Sequence, residues 1–139
     1  MRQLADAERI GRFMAALGAE ADSDGACYFT GGATAVEMNV ELASPADFLP
    51  VPQGWEDRST FVTREGRLSF YHFDLLAQTL AKLERGHSQD LADVQAMVER
   101  GLVDPARAIA YFEQIEPQLY RFPAVDPPAL RQRIENALG

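Results

Sequence analysis

The chain has 139 residues, of which 47% are hydrophobic and 24% are charged, enough for one ordinary globular core but not for two. Its formal net charge of −8 argues against a non-specific hold on nucleic acid backbone, which needs clustered Lys and Arg. Cys27 is the single cysteine, which excludes an intramolecular disulfide and fits a reducing compartment. We predict one soluble, cytoplasmic domain over residues 1–139, with no leader and no membrane-spanning segment.

The first predicted elements are a helix and a strand. The helix has apolar residues at the i, i+3, i+4, i+7 spacing of an amphipathic face, namely Ile10, Phe13, Met14 and Leu17. Gly18 is placed to end it. Residues 26–30 are rich in β-compatible side chains and predict a short buried strand that stops at Gly31 and Gly32.

The middle of the chain predicts a second strand, a loop and a hairpin. A helix can begin at residues 33–36, but residues 39–42 follow at once with the polar/apolar alternation of a strand. Residues 43–56 contain three prolines and are predicted to form a loop that Trp55 pins to the core. Two strands, at 60–63 and 68–73, flank Glu65 and Gly66 as a β-hairpin does.

From Asp74 onward the pattern is helical. Predicted caps are Asp74, Ser88, Asp104 and Asp126, the last two followed by proline, and Gly86 and Gly101 are predicted helix ends. The inward residues of the four predicted helices are Leu76, Leu80 and Leu83; Leu91, Val94 and Val98; Ile109, Phe112 and Ile115; Leu130, Ile134 and Leu138. The predicted fold is therefore α+β: a small mixed sheet with flanking helices in residues 1–73 and a helical part in residues 74–139.

Charged residues concentrate around the turn between the first two of these helices. Lys82 and Arg85 are three apart and share one helix face, as do Asp90 and Asp93 on the next helix. Two interpretations are open. The four residues form solvated faces and inter-helix salt bridges, or Lys82 is a phosphate ligand that Asp90 and Asp93 orient.

The remaining candidates are weaker. Gly31 and Gly32 form either an ordinary tight turn or a phosphate-binding turn, because backbone N–H groups can approach an anion there. Glu41 is either a solvent-facing strand residue or a metal carboxylate. His72 and His87 are too separated, and lack a companion cysteine, for a zinc pair, and His72 is expected to be a packed strand histidine. Cys27 has no neighbouring base and is rejected as a nucleophile.

Five segments carry a family resemblance. In chain order they are YFTGGATAV, NVELASPADFLP, REGRLSFYHFD, LAKLERGHSQDLADV and IEPQLYRFP. Together they resemble a family of uncharacterised bacterial nucleotidyltransferase-like proteins, which are similar to the transferase components of abortive-infection and toxin–antitoxin systems. The resemblance implies a polymerase-β-like fold, two Mg²⁺ ions held by carboxylates, and a nucleoside triphosphate as donor.

The resemblance also implies roles for individual residues. Gly31 and Gly32 match the phosphate-gripping turn, and Glu41 lies on the strand where a metal carboxylate is expected. The helical motif is matched by Lys82 and Asp90 as catalytic residues, Lys82 and Arg85 as phosphate ligands, and Asp74 and Asp93 as supporting residues.

One departure from the family pattern decides the expected activity. The family has an Asp-x-Asp pair after the Gly-Gly turn, whereas here Val36 runs directly into Glu37 and the only such pair, Asp22 and Asp24, precedes the turn. Metal-assisted transfer needs convergent carboxylates. We therefore expect a catalytically degenerate domain that binds a nucleotide or a partner.

Two alternatives stay open. One is an active Mg²⁺-dependent transferase when the missing acidic segment is present; the other is a small interaction module. Its partner would be a second copy, paired through an exposed sheet edge, or the product of a neighbouring gene.

Overall fold

The computed structural model describes residues 7–29 and 49–139. Its elements are α1 Ala7–Glu20, β1 Gly25–Phe29, α2 Trp55–Arg58, β2 Thr60–Glu65, β3 Leu68–His72, α3 Leu75–Arg85, α4 Ser88–Glu99, α5 Pro105–Ile115, a 3-10 helix Glu116–Arg121 and α6 Pro127–Leu138. This content confirms the predicted mixed α+β class. The predictions for Gly31, Gly32, residues 33–36 and Glu41 lie outside the described residues.

The described residues divide into two compact units, one made of residues 7–29 and 56–74 and the other of residues 49–55 and 75–139. The first unit holds a three-stranded sheet in the order β1-β3-β2, with β1 parallel and β2 antiparallel to β3. The predicted hairpin is confirmed, and Gly66 in its turn has a φ of 58°. A bulge between Phe61 and Thr63 shifts the register of β2.

The predicted strand after α1 is confirmed as β1, but its predicted burial is wrong. Gly25 and Ala26 are exposed, and Cys27 to Phe29 are only half-buried. Helix α1 packs on one face of the sheet, where Phe13 meets Phe29 at 6.4 Å and Phe29 stacks on Phe70 at 5.9 Å between ring centroids. Successive side chains of a strand point to opposite faces, so the helix cannot cover both faces of β1.

The prediction that Gly18 ends the first helix is wrong, because α1 continues to Glu20. Gly18 is buried, and a Cβ added there would overlap the backbone carbonyl and the Cβ of Glu65 at the end of β2. The glycine is therefore a point of close approach between helix and hairpin rather than a cap.

A pair of glycine substitutions in α1 tests this close approach. We expect Gly18→Ala to destabilise the protein by about 1–3 kcal/mol, the usual cost of forcing extra atoms into a packed region. Gly11→Ala is the matched control, because nothing lies within 4 Å of its added Cβ. Alanine there should stabilise the same helix by up to about 1 kcal/mol. Urea unfolding of both variants measures the difference, and equal effects would contradict the close approach.

The second unit is a helical core. Its buried side chains come from α3 to α6 and from the segment before α2: Leu49, Leu76, Leu80, Leu83, Val94, Val103, Ala108, Tyr111, Phe112, Ile115, Leu119, Val125, Leu130, Ile134 and Leu138. Two predicted caps are confirmed, since Asp104 accepts from the Ala106 N–H and Asp126 from the Ala129 N–H. The 3-10 helix after α5 was not predicted.

Helix α4 differs from its prediction in two respects. The residue before its first turn is His87, not Ser88, and no side chain provides a cap there. Leu91 was predicted to face inward but is 43% exposed, whereas its neighbour Asp90 is buried. The predicted inward position of Val94 is confirmed, so the difference is confined to the start of α4, where Asp90 and not Leu91 is inside. A carboxylate, rather than a leucine, therefore faces α3.

Candidate functional site

The candidate site lies where α3 turns into α4, and the turn between them is very short. Gly86 ends α3 with a φ of 68°, and its N–H donates to the carbonyl of Lys82. Positive φ is easily adopted by glycine and rarely by other residues. Only Gly86 and His87 separate the two helices, so the last turn of α3 faces the first turns of α4.

Two ion pairs connect the helices across this turn. Lys82 Nζ lies 2.9 Å from Asp93 Oδ2, and Arg85 Nη2 lies 2.8 Å from Asp90 Oδ1. The other oxygen of Asp93 accepts a hydrogen bond from Gln89 Nε2 at 2.9 Å. We call these five residues the α3–α4 cluster. The structure thus brings together four residues predicted from spacing, and their functional roles remain predictions.

The two ion pairs differ in which member is buried. In the first pair the cation is inside, since the side chain of Lys82 is 6% exposed and that of Asp93 is 34% exposed. In the second pair the carboxylate is inside, since the side chain of Asp90 is 10% exposed and that of Arg85 is 53% exposed. Among the described residues, every buried side-chain nitrogen and oxygen has a hydrogen-bond partner. The cluster therefore satisfies its own charges.

The electrostatics of the cluster act most clearly on Asp93. Burial alone raises the pKa of this carboxyl group, but hydrogen bonds from Lys82 and Gln89 and the charges of Lys82 and Arg85 outweigh it, so the net pKa is lowered. Both cations of the cluster thus act on one carboxylate.

The lowered pKa of Asp93 makes a pH dependence of stability testable. A carboxyl group whose pKa is lower in the folded protein stabilises the fold above its unfolded pKa, and this contribution disappears as the pH falls through the folded value. We expect Asp93→Asn to be less stable than the wild type at neutral pH. The gap should shrink as the pH falls below about 4, the ordinary aspartate value. Chemical unfolding over a pH series measures it, and a gap that stays constant into strong acid would contradict it.

Arg133 of α6 is a part of this region that spacing did not predict. Its Nη1 donates to the carbonyl oxygens of Leu83 at 3.4 Å and Glu84 at 2.6 Å, which lie at the C-terminal end of α3. A Cβ on Gly86 would lie 3.1 Å from Arg133 Nε, so the arginine covers the turn closely. Arg133 is about fifty positions from its partners, and no local pattern links such distant residues.

The structure places the other predicted residues elsewhere or does not describe them. Asp74 directly precedes α3 but belongs to the first unit, where Arg58 Nε donates to its carboxylate at 3.0 Å and Ser59 Oγ accepts from its N–H at 3.1 Å. Gly31, Gly32 and Glu41 lie outside the described residues. Asp74 therefore has partners of its own.

Three other sequence candidates have surface or structural surroundings. Asp24 lies 3.5 Å from Arg64 Nη2 and 3.8 Å from Arg67 Nε, all exposed. His72, for which packing in the strand was expected, is exposed at the end of β3. Burial raises the pKa of the Cys27 thiol, as expected for a cysteine without an activating base.

The arrangement of the cluster does not fit a Mg²⁺ site. Magnesium is bound through carboxylate oxygens, but Asp90 and Asp93 each direct an oxygen at a cation of α3. Within residues 7–29 and 49–139, no group of three or more His, Cys, Asp and Glu side chains is placed to hold a metal ion. The same part of the chain contains no helix that is both long and apolar enough to cross a membrane.

No family model, curated protein or solved structure matches the chain. The structure defines an α+β protein with a self-compensated ion-pair cluster between two helices.

Proposed function

We propose that the chain is a nucleotidyltransferase-like domain that binds the phosphate groups of a nucleotide at the α3–α4 cluster and does not transfer them. The observation that carries the proposal is the burial of Lys82, which is 5% exposed and directed at a carboxylate of the next helix. Its sequence support is the resemblance of the segment LAKLERGHSQDLADV to the helical motif of that family.

The burial of the lysine has an energetic cost. Removing a charge from water costs several kcal/mol even when a partner offsets part of it, and well-packed apolar residues of the same size often stabilise a protein at least as well. The burial of the Lys82 ammonium against a carboxylate that is 34% exposed is therefore poorly explained by stability alone. Two cations one helical turn apart suit the oxygens of a di- or triphosphate, with Arg85 able to bind in a bidentate manner and Lys82 as a point charge.

The proposed lack of nucleotidyl transfer is based on the missing metal-binding carboxylates. Nucleotidyl transfer uses metal ions to neutralise the donor phosphates, and these ions need converging acidic ligands. The chain has no Asp-x-Asp pair after the Gly-Gly turn, and Asp90 and Asp93 are paired with the side chains of Arg85 and Lys82. We therefore propose that the nucleotide binds without requiring Mg²⁺.

Thermal unfolding with each ribonucleoside triphosphate, in EDTA and in Mg²⁺, tests the proposal. Saturation with one of them should raise the Tm by several degrees, because a ligand at a hundred times its Kd adds about 2.7 kcal/mol. The rise should be present in EDTA and no larger in Mg²⁺. It should disappear in Lys82→Met and shrink in Arg85→Gln.

The control for this experiment is Arg107→Gln, which removes an exposed arginine of α5 in the same unit. It should respond as the wild type does. Two results would contradict the proposal: no triphosphate stabilises the wild type, or stabilisation appears only with Mg²⁺ and is accompanied by transfer of a labelled nucleotide.

A second candidate function, protein interaction, is favoured by the sheet of the first unit. Phe61 lies on β2, the outer strand among those that the structure describes; it is 57% exposed and meets Tyr71 edge-on at 5.7 Å, while Tyr71 stacks on Tyr28 at 5.0 Å. Exposed aromatic side chains of this kind are enriched in interfaces. This function gains if no nucleotide binds but the protein dimerises; a constant monomer mass in light scattering over a concentration series would contradict the dimer.

A further inference from the structure

We propose that the carboxylate of Asp93 is a built-in occupant of the anion site, and that a ligand phosphate binds Lys82 by taking its place. The inference rests on the proposed function, because it assumes that the α3–α4 cluster is the phosphate site. It adds a form of self-inhibition: the free protein neutralises its own binding group.

The surroundings of Asp93 are those of a bound anion. One oxygen accepts from Lys82 Nζ at 2.9 Å and the other from Gln89 Nε2 at 2.9 Å. The charge of Arg85 also acts on this carboxylate. Donors from two helices thus converge on one negatively charged group, as donors converge on a phosphate oxygen in a binding site.

The burial of the pair shows why displacement is needed. Lys82 has 6% of its side chain exposed, whereas its partner Asp93 has 34% exposed and lies on the solvent side of the pair. An anion that reaches the ammonium must therefore replace the carboxylate. Arg85 differs, because its side chain is 53% exposed while it binds Asp90. Arg85 can bind a phosphate and keep its partner.

Helix α4 offers a matched control for removing the Asp93 charge. Gln95 Nε2 donates to Glu99 Oε1 at 3.0 Å, which repeats the Gln-to-acid contact four residues apart that Gln89 makes with Asp93. Asp93 and Glu99 thus each accept a hydrogen bond from a glutamine one turn earlier in α4. Unlike Asp93, Glu99 has no cation of α3 among its described interactions. Glu99→Gln therefore removes one negative charge and leaves the Lys82 site as it is.

Calorimetric titration with tripolyphosphate, in EDTA and at low salt, tests the displacement. Asp93→Asn should bind about tenfold more tightly than the wild type, because the anion no longer competes with a charge-assisted hydrogen bond. Glu99→Gln should bind as the wild type does, and Lys82→Met added to Asp93→Asn should remove the gain. Equal affinity of Asp93→Asn and the wild type, or a gain that persists without Lys82, would overturn the inference.

A measurement on the wild type covers the case in which Asp93→Asn does not fold. The NMR chemical shift of the Asp93 side-chain carboxyl carbon should change on addition of tripolyphosphate. The shift of the corresponding carbon of Asp104, in the α5 cap, should stay the same. An Asp93 signal that does not move while the anion binds would overturn the inference. If wild type and Asp93→Asn bind equally well, only the displacement fails; if neither binds, the proposed function fails with it.

Discussion

Asp93→Ala is expected to lower the free energy of unfolding by about 3 kcal/mol, because it leaves a buried ammonium group without its carboxylate. Lys82 is 5% exposed, so water cannot fully replace the lost partner. The opposite truncation should cost much less. Lys82→Met keeps the apolar stem and removes the charge, while Asp93 is 34% exposed and retains its hydrogen bond from Gln89. We expect that variant to lie within about 1 kcal/mol of the wild type.

Urea unfolding at neutral pH measures both variants, with Glu99→Gln as a surface control expected within about 0.5 kcal/mol of the wild type. The asymmetry matters for function. If Lys82→Met is close to neutral, the lysine is not required for stability, which is the result that the proposed binding role predicts. A loss for Lys82→Met as large as that for Asp93→Ala would show that the pair serves the fold.

Phe112→Ala should destabilise the second unit by about 4 kcal/mol, within the range for removing a buried aromatic side chain. Phe112 is 1% exposed and belongs to the helical core. The guanidinium of Arg131 lies over its ring at 5.2 Å and forms a hydrogen-bonded ion pair with Glu116. The substitution removes both the filled volume and this cation–π contact.

The control for Phe112 is another aromatic residue with an arginine beside it. Tyr120 is 74% exposed, and the guanidinium of Arg121 lies 5.5 Å from its ring. Tyr120→Ala should change the free energy of unfolding by no more than about 0.5 kcal/mol. Thermal unfolding followed by circular dichroism measures both. A small loss for Phe112→Ala would contradict its place in the core.

The helical half of the fold was predictable because its signals are local. Asp104 and Asp126 precede proline, and each accepts a hydrogen bond from an N–H two or three residues later. A cap over so short a distance can be predicted from the sequence. The burial of Phe112 and Ile115 in α5 follows the spacing of their helix. The buried position of Gly18 was not predictable, because the hairpin residue it contacts, Glu65, is far along the chain.

The candidate site was predictable only in part. Spacing placed Lys82 with Arg85 and Asp90 with Asp93, but it did not indicate which cation meets which carboxylate. That choice depends on the start of α4, where Asp90 is buried and Leu91 is exposed, against the expectation from apolar periodicity. A buried carboxylate can override such a pattern because it needs a partner, and Asp90 has one in Arg85.

The most direct test of phosphate binding at the α3–α4 cluster is a map of backbone amide NMR shifts as each ribonucleoside triphosphate in turn is added to the wild type in EDTA. The largest changes should occur at Lys82, Arg85, Gln89 and Asp93, and Lys82→Met should abolish them. Changes confined to other parts of the chain, or none at saturating nucleotide, would contradict a phosphate site between α3 and α4.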